Sequence, residues 1–196
     1  MSPVDICNSA LIKLGVERIA SFTEDSKAAR ICNEQYDKIR DSLLYDHYWN
    51  FAIKRVMLAK STDTPAFGFD CKYALPGDCL RPIRLDKKGF AYKVESGFLL
   101  TKLDNAGLLY VSKEVDTSKY TPKFREALAW KLAADFAYPL VQSVSLMATI
   151  MEKAKMFALD AASTDAQEDF IDNVIDDSFI DSRFINADVV DVFSDE

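Results

Sequence analysis

Apolar positions along this chain are spaced first for helix, then for strand, then for helix again. Ser2-Pro3-Val4-Asp5 predicts a helix start, with serine at the N-cap and proline at the first helical position. Ile6, Ala10 and Leu14 follow at helical spacing beside Leu11, and Gly15 supplies the left-handed residue that closes the helix. After a loop over residues 16–25, Thr23 to Ser26 offer caps for a longer helix running to about Tyr48. That helix gathers Ala28, Ile31, Cys32, Ile39 and Leu43 on one side and keeps Arg30, Lys38 and Asp41 elsewhere.

The texture changes after Lys60. Short apolar runs broken by glycine predict strands at Cys71–Leu75, Leu80–Leu85, Phe90–Val94, Phe98–Thr101 and Leu108–Val111. Pro76-Gly77-Asp78, Lys88-Gly89 and Ser96-Gly97 read as the turns between them, which together predict an antiparallel meander or small sheet. Helical spacing returns at Thr121-Pro122 with the stripe Phe124, Leu128, Ala129, Leu132, Ala133 and Phe136, and Tyr138-Pro139 is expected to end it. Ser143 or Ser145 then opens a last helix through Leu146, Ile150, Ala154, Phe157 and Ala161.

The fold class expected is therefore α+β. N- and C-terminal helix pairs (about 2–15 and 26–48, then 122–138 and 144–165) would pack as a bundle, with an inserted antiparallel β segment over about 67–113. One core is expected to hold Ile31, Ile39, Leu43, Leu128, Leu132, Phe136 and Ile150. Residues 1–168 form the body in this reading, and 169–196 an extended acidic arm.

Composition narrows the function classes. At 196 residues and 49% hydrophobic content the chain has material for one domain with a real core. The sequence has no run of eighteen apolar residues of the kind that spans a bilayer, so no membrane partner is expected. Its start carries Asp5 early and lacks a basic stretch followed by an apolar one, so no secretory signal is read there. Cys7, Cys32, Cys71 and Cys79 form no CxxC pair, and a single histidine is available to help them. They read as buried reduced thiols of a protein made inside a cell, with no metal, cofactor or disulfide expected.

Charge is distributed unevenly. Residues 169–196 hold nine acids against Arg183 alone, a net of −8, whereas the whole chain is −7 and residues 1–168 balance 22 acids with 23 bases. No basic face for gripping DNA phosphates emerges from this pattern.

Candidate chemistry is sparse. Asp46-His47 resembles an acid/base pair, but helix neighbours do not face each other, and no nucleophile or metal-ligand spacing accompanies them. The phosphate-binding glycine loop, the GxSxG elbow and the HExxH motif are all missing. Glu34 with Asp37 or Asp41 gives carboxylates of the glycosidase type, yet acids on a helix ordinarily solvate a face. No catalytic residue is assigned.

Two segments are more distinctive. The long helix ends in Tyr36-Asp37-Lys38-Ile39-Arg40-Asp41-Ser42-Leu43-Leu44, and Trp49-Asn50-Phe51-Ala52-Ile53-Lys54-Arg55 and Leu58-Ala59 follow as an aromatic-rich exit suited to core packing. Phe67-Gly68-Phe69, the turn Leu75-Pro76-Gly77-Asp78-Cys79-Leu80-Arg81 and an alanine-rich helix around 127–137 come next. In this order and spacing, over about residues 3–165, the chain resembles the tail tubular protein A or head-to-tail adaptor (connector) family of short-tailed bacteriophages and related prophages.

The resemblance implies a non-enzymatic subunit of a ring, commonly a dodecamer of identical copies, below the portal protein. Such a ring extends the DNA channel, passes DNA without sequence-specific binding, and joins a tail nozzle or a protein like tail tubular protein B. It further implies a place in the virion tail or neck after assembly in the bacterial cytoplasm. It assigns no residue to the channel wall. From other classes come a tail accessory protein that degrades cell wall and a protein-binding scaffold outside any virion.

The terminal segment falls outside the resemblance. Phe170-Ile171, Val174-Ile175, Phe179-Ile180, Phe184-Ile185 and Val189-Val190 recur at intervals near five, separated by acids. That interval fits neither a single helical stripe nor strand alternation. The alternative is a dispensable solvating terminus, but such tails rarely repeat large aliphatic and aromatic residues. A docking arm is the preferred reading, with Phe170, Ile171, Phe179, Ile180, Phe184 and Ile185 binding the portal or a neighbouring subunit.

Overall fold

A computed structural model describes residues 2–113 and 115–168 of the chain. Over these the fold is mixed α+β, with four α-helices and two small antiparallel sheets. In chain order these are α1 (Pro3–Lys13), α2 (Lys27–Asp46), β1 (Ile53–Met57), β2 (Cys71–Ala74), β3 (Cys79–Leu85), β4 (Tyr92–Glu95), β5 (Phe98–Thr101), β6 (Gly107–Ser112), α3 (Pro122–Val141) and α4 (Val144–Glu168). Among the described residues no helix is long and apolar enough to cross a membrane.

The helix ends follow local chemistry. Ser2 and Asp5 form a reciprocal capping box, with Asp5 N–H donating to Ser2 Oγ at 3.2 Å and Ser2 N–H to Asp5 Oδ2 at 2.7 Å. At the other end of α1, Gly15 takes φ +69°, and Val16 N–H reaches back to the Leu11 carbonyl at 3.0 Å. Ser26 caps α2 through Ala29 N–H at 3.1 Å, and Thr121 caps α3 through Phe124 N–H at 3.2 Å.

Helix α3 is central. Phe124, Ala127, Leu128, Leu132, Ala133, Phe136 and Ala137 are all fully buried along it, and α1 and α2 both pack against it. Of the expected core, Leu43, Leu128, Leu132, Phe136 and Ile150 are buried together, while Ile31 and Ile39 are half-buried and packed against them. Tyr36 and Leu44 join the core on α2, so its buried face is rotated from the expected one. Between α1 and α2, Cys7 meets Cys32. A hydrogen bond to Cys32, together with burial, raises the Cys7 thiol well above its ordinary pKa.

An aromatic cluster ties the helices to the sheets. Trp49 is 1% exposed and donates its indole N–H to the Leu43 carbonyl at 2.8 Å, satisfying a group in the last turn of α2. Its ring meets Phe124 edge-on at 4.8 Å between centroids, and Phe51, Tyr120 and Phe124 complete the cluster.

The β region corrects the sequence reading in two respects. It begins at Ile53, earlier than the expected 67–113, because the aromatic exit itself becomes strand β1. It is also not one meander but two sheets, ordered β1-β6-β3 and β2-β5-β4. The inner strands β6 and β5 are almost wholly buried, whereas the outer ones carry the charges Lys54, Arg55, Arg84, Lys93 and Glu95. Pro82 is tolerated because β3 is an edge strand with register breaks on either side of it. A second core joins residues of both sheets, with Tyr73 and Leu99 from one and Leu85, Leu108 and Tyr110 from the other. β4 and β5 are joined by Ser96-Gly97 at φ 48° and 79°, the two left-handed residues of a type I′ hairpin.

The helices also run further than expected. α3 continues through Pro139 to Val141 and closes at Gln142, which sits at φ 56° with its N–H on the Tyr138 carbonyl at 3.0 Å. Proline this close to the end forfeits one backbone bond without breaking the helix, and its own carbonyl accepts from Lys27 Nζ. α4 extends to Glu168 rather than 165.

Candidate protein-interaction surface

α4 approaches the other helices through selected side chains. Trp130 of α3 stacks on Phe157 at 5.4 Å between centroids, and Lys123 holds Asp160 at 2.9 Å. At the far end Asp165 is 4% exposed and accepts from Asn50 N–H at 3.1 Å, while Asn50 Nδ2 donates to the Asp165 carbonyl at 2.9 Å. Between these contacts the facing side chains are short. Ala134 on α3 and Ala154, Ala158 and Ala162 on α4 leave a trough of about 580 Å³ with Leu43 and Trp49 on its lining.

The rim of the trough is apolar and basic. Met151 is 53% exposed and Leu159 62% exposed, large apolar areas turned outward on a helix that also buries Ile150 and Ala161. Lys131 lines the trough with its ammonium held by Asp46 at 2.7 Å and Ser42 at 3.2 Å, and Lys155 lines it from α4. Among the described residues Lys155 makes no ion pair.

His47 also lines this trough, and its partner is not the adjacent Asp46. Its Nε2 lies 3.3 Å from Asp165 Oδ2, and its ring meets Trp49 edge-on at 4.8 Å. No sequence pattern could join residues 118 positions apart in this way; only the packing of α4 against the end of α2 does. The trough lining holds no hydroxyl or thiol to act as a nucleophile beside this pair. The other acidic candidates are also engaged or isolated. Asp37 and Asp41 both pair with Arg40, at 2.6 and 2.7 Å, and Glu34 stands exposed on α2. Among the described residues no three histidine, cysteine or acidic side chains converge as ligands for a metal ion.

Phe170, Ile171, Phe179, Ile180, Phe184 and Ile185 lie outside the described residues. The trough itself escaped the sequence reading, which followed the buried stripe of the last helix. Its signal was the second stripe, Met151, Lys155 and Leu159 at intervals of four, which puts apolar bulk on a face already turned away from the core. Compared with known proteins, the chain matches no protein-family model and no curated protein.

Proposed function

We propose that the chain is a structural, non-enzymatic head-to-tail adaptor subunit of a short-tailed bacteriophage. In this reading identical copies, twelve in the commonest form, make a ring beneath the portal, extend the DNA channel and receive the tail nozzle. The particle is assembled in the host cytoplasm and the subunit ends in the neck of the virion. The helix pairs α1–α2 and α3–α4 act as one bundle from which the β region projects, and the acidic arm docks on the portal or a neighbour.

The observation that carries this reading is the open trough beside α4, with Met151 and Leu159 exposed on its rim. Apolar surface of that kind is typical of a contact with another protein. The ordered residue pattern from Tyr36 to Ala137 supplies the choice of family. The near-neutral body suits a channel through which DNA passes without sticking. The test is electron microscopy of the purified protein mixed with its cognate portal. Rings stacked coaxially on portal vertices are expected. A protein that never associates with portals, or that releases fragments from peptidoglycan, would overturn the reading.

A further inference from the structure

We propose that the trough between α4 and the α2–α3 pair is the receptor for the acidic C-terminal arm of a second copy of this chain. This deepens the adaptor reading and rests on it for the choice of a second copy. The trough combines three features that set the chemistry of its occupant. Leu43 and Trp49 make an apolar floor, Met151 and Leu159 an apolar lip, and Lys131 and Lys155 put a cation on each side. An occupant must therefore offer large apolar side chains and carboxylates within a few residues of one another.

The chain contains a segment of that composition. Residues 169–196 repeat Phe-Ile and Val-Ile pairs between nine acids and carry a net charge of −8, whereas residues 1–168 carry +1. Asp172, Asp176, Asp177 and Asp181 separate the pairs Phe170-Ile171, Val174-Ile175, Phe179-Ile180 and Phe184-Ile185. Phenylalanine and isoleucine seated between the alanines of α3 and α4 would cover the exposed Met151 and Leu159. An aspartate beside them would reach Lys155 and compete with Asp46 for Lys131. Volume agrees as well, since about 580 Å³ is the size of a site that takes several large side chains.

Exchange between copies follows from the symmetry such a contact creates. An arm seated on its own body would bury the surface and leave a monomer. An arm seated on a neighbour makes a head-to-tail contact, which repeats until a ring closes. The arm's 28 residues can extend roughly 90 Å, ample to cross a neighbouring subunit of this size.

The test uses full-length protein and two complementary variants. Lys155→Glu with Leu159→Glu alters the trough at two exposed positions, and Phe179→Ser with Phe184→Ser alters the arm. Sedimentation velocity over a range of concentrations should show wild-type association, weakened about tenfold or more in either variant, and weakened by salt. Mixing the two variants should give a one-to-one pair that grows no further, because one intact trough and one intact arm remain. The milder Lys155→Ala should give a smaller, salt-dependent loss, and circular dichroism should show every variant folded. A monomeric wild type, either double variant associating like wild type, or a mixture that fails to pair would each overturn the proposal. A wild type that stays monomeric while binding portal would sink it and leave the adaptor reading standing. Pairing through the trough with no affinity for portal would do the reverse.

Discussion

Asp78 carries more of the β region than its place in a turn implies. It accepts from Ser112 Oγ at 2.8 Å and from Tyr110 Oη at 3.1 Å, pairs with Lys54 at 2.7 Å, and gives its carbonyl to Lys113 N–H at 2.9 Å. One side chain thus pins the Pro76-Gly77 turn to both β1 and β6. Burial pushes the carboxyl pKa up, but the bonds from Lys54, Ser112 and Tyr110 outweigh it and hold the group below its ordinary value of 3.8. A carboxylate lowered on folding contributes stability that is complete above its unfolded pKa and is lost as pH falls through its folded one. Asp78→Asn should therefore lower stability by ~1–3 kcal/mol near neutrality. It should also flatten the pH dependence of the melting temperature below about pH 4, measured by calorimetry. Leu132 makes the simpler case. It is 0% exposed at the centre of α3, and Leu132→Ala should cost roughly 2–5 kcal/mol in urea unfolding.

Among the elements, β6 is the one most constrained by a single position. Its first residue, Gly107, makes two hydrogen bonds with Asp86, its N–H donating to the side-chain Oδ1 at 2.9 Å and its carbonyl accepting from Asp86 N–H at 2.9 Å. A Cβ at 107 would stand 2.8 Å from Asp86 Cγ, closer than packing allows. Gly107→Ala should shift β6 against β3 and destabilise the protein by ~1–3 kcal/mol, read from chemical denaturation. Asp86→Gly should recover part of that loss, because the Asp86 Cβ, 2.9 Å from the added Cβ, has to go as well as Cγ.

The sequence made β6 legible as a strand through Leu108 to Val111, but not its neighbours. Hydrophobic alternation says that a strand has a buried face, and it is silent on whether that face meets β1, fifty residues earlier, or β3. β1 was less legible still: Trp49 to Leu58 read as an aromatic-rich exit suited to core packing, and Ile53 and Val56, three residues apart, do not alternate as a strand would. Helix starts were the clearest features because a cap is local: Ser2, Ser26 and Thr121 sit one residue before their helices. The end of α3 was misplaced for the converse reason. Proline marks a cost, and the burial of Phe136 and Ala137 just before it shows what offset that cost. Pro139→Ala should restore the missing bond and raise the melting temperature, provided the Lys27 contact to residue 139 survives.

At the scale of the molecule two cores share one body, and their junction decides whether they unfold together. The helical core surrounds Phe124, Leu128 and Leu132, and the sheet core surrounds Tyr73, Leu99 and Leu108. The link between them is strand β6, whose Val111 belongs to the helical core while Leu108 and Tyr110 belong to the other. β1 adds a second link, because it leaves the Trp49–Phe51 cluster and pairs along β6 from Ile53–Val111 to Met57–Gly107. Shared strands of this kind make local opening of either core costly to the other. The expected outcome is one cooperative transition, in which the fluorescence of buried Trp49 and half-buried Trp130 and the far-ultraviolet signal change at the same urea concentration. Tyr73 tests this from the far side. It is 0% exposed and donates its hydroxyl to the Leu103 carbonyl at 2.9 Å, and no part of it belongs to the aromatic cluster around Trp49. Tyr73→Ala should cost ~3–5 kcal/mol by analogy with other buried aromatics. With coupled cores it should move the tryptophan transition to lower urea by the same amount as the far-ultraviolet one. A tryptophan midpoint left in place while the sheet signal is lost early would show that the two cores melt independently and that β6 does not bind them into one unit.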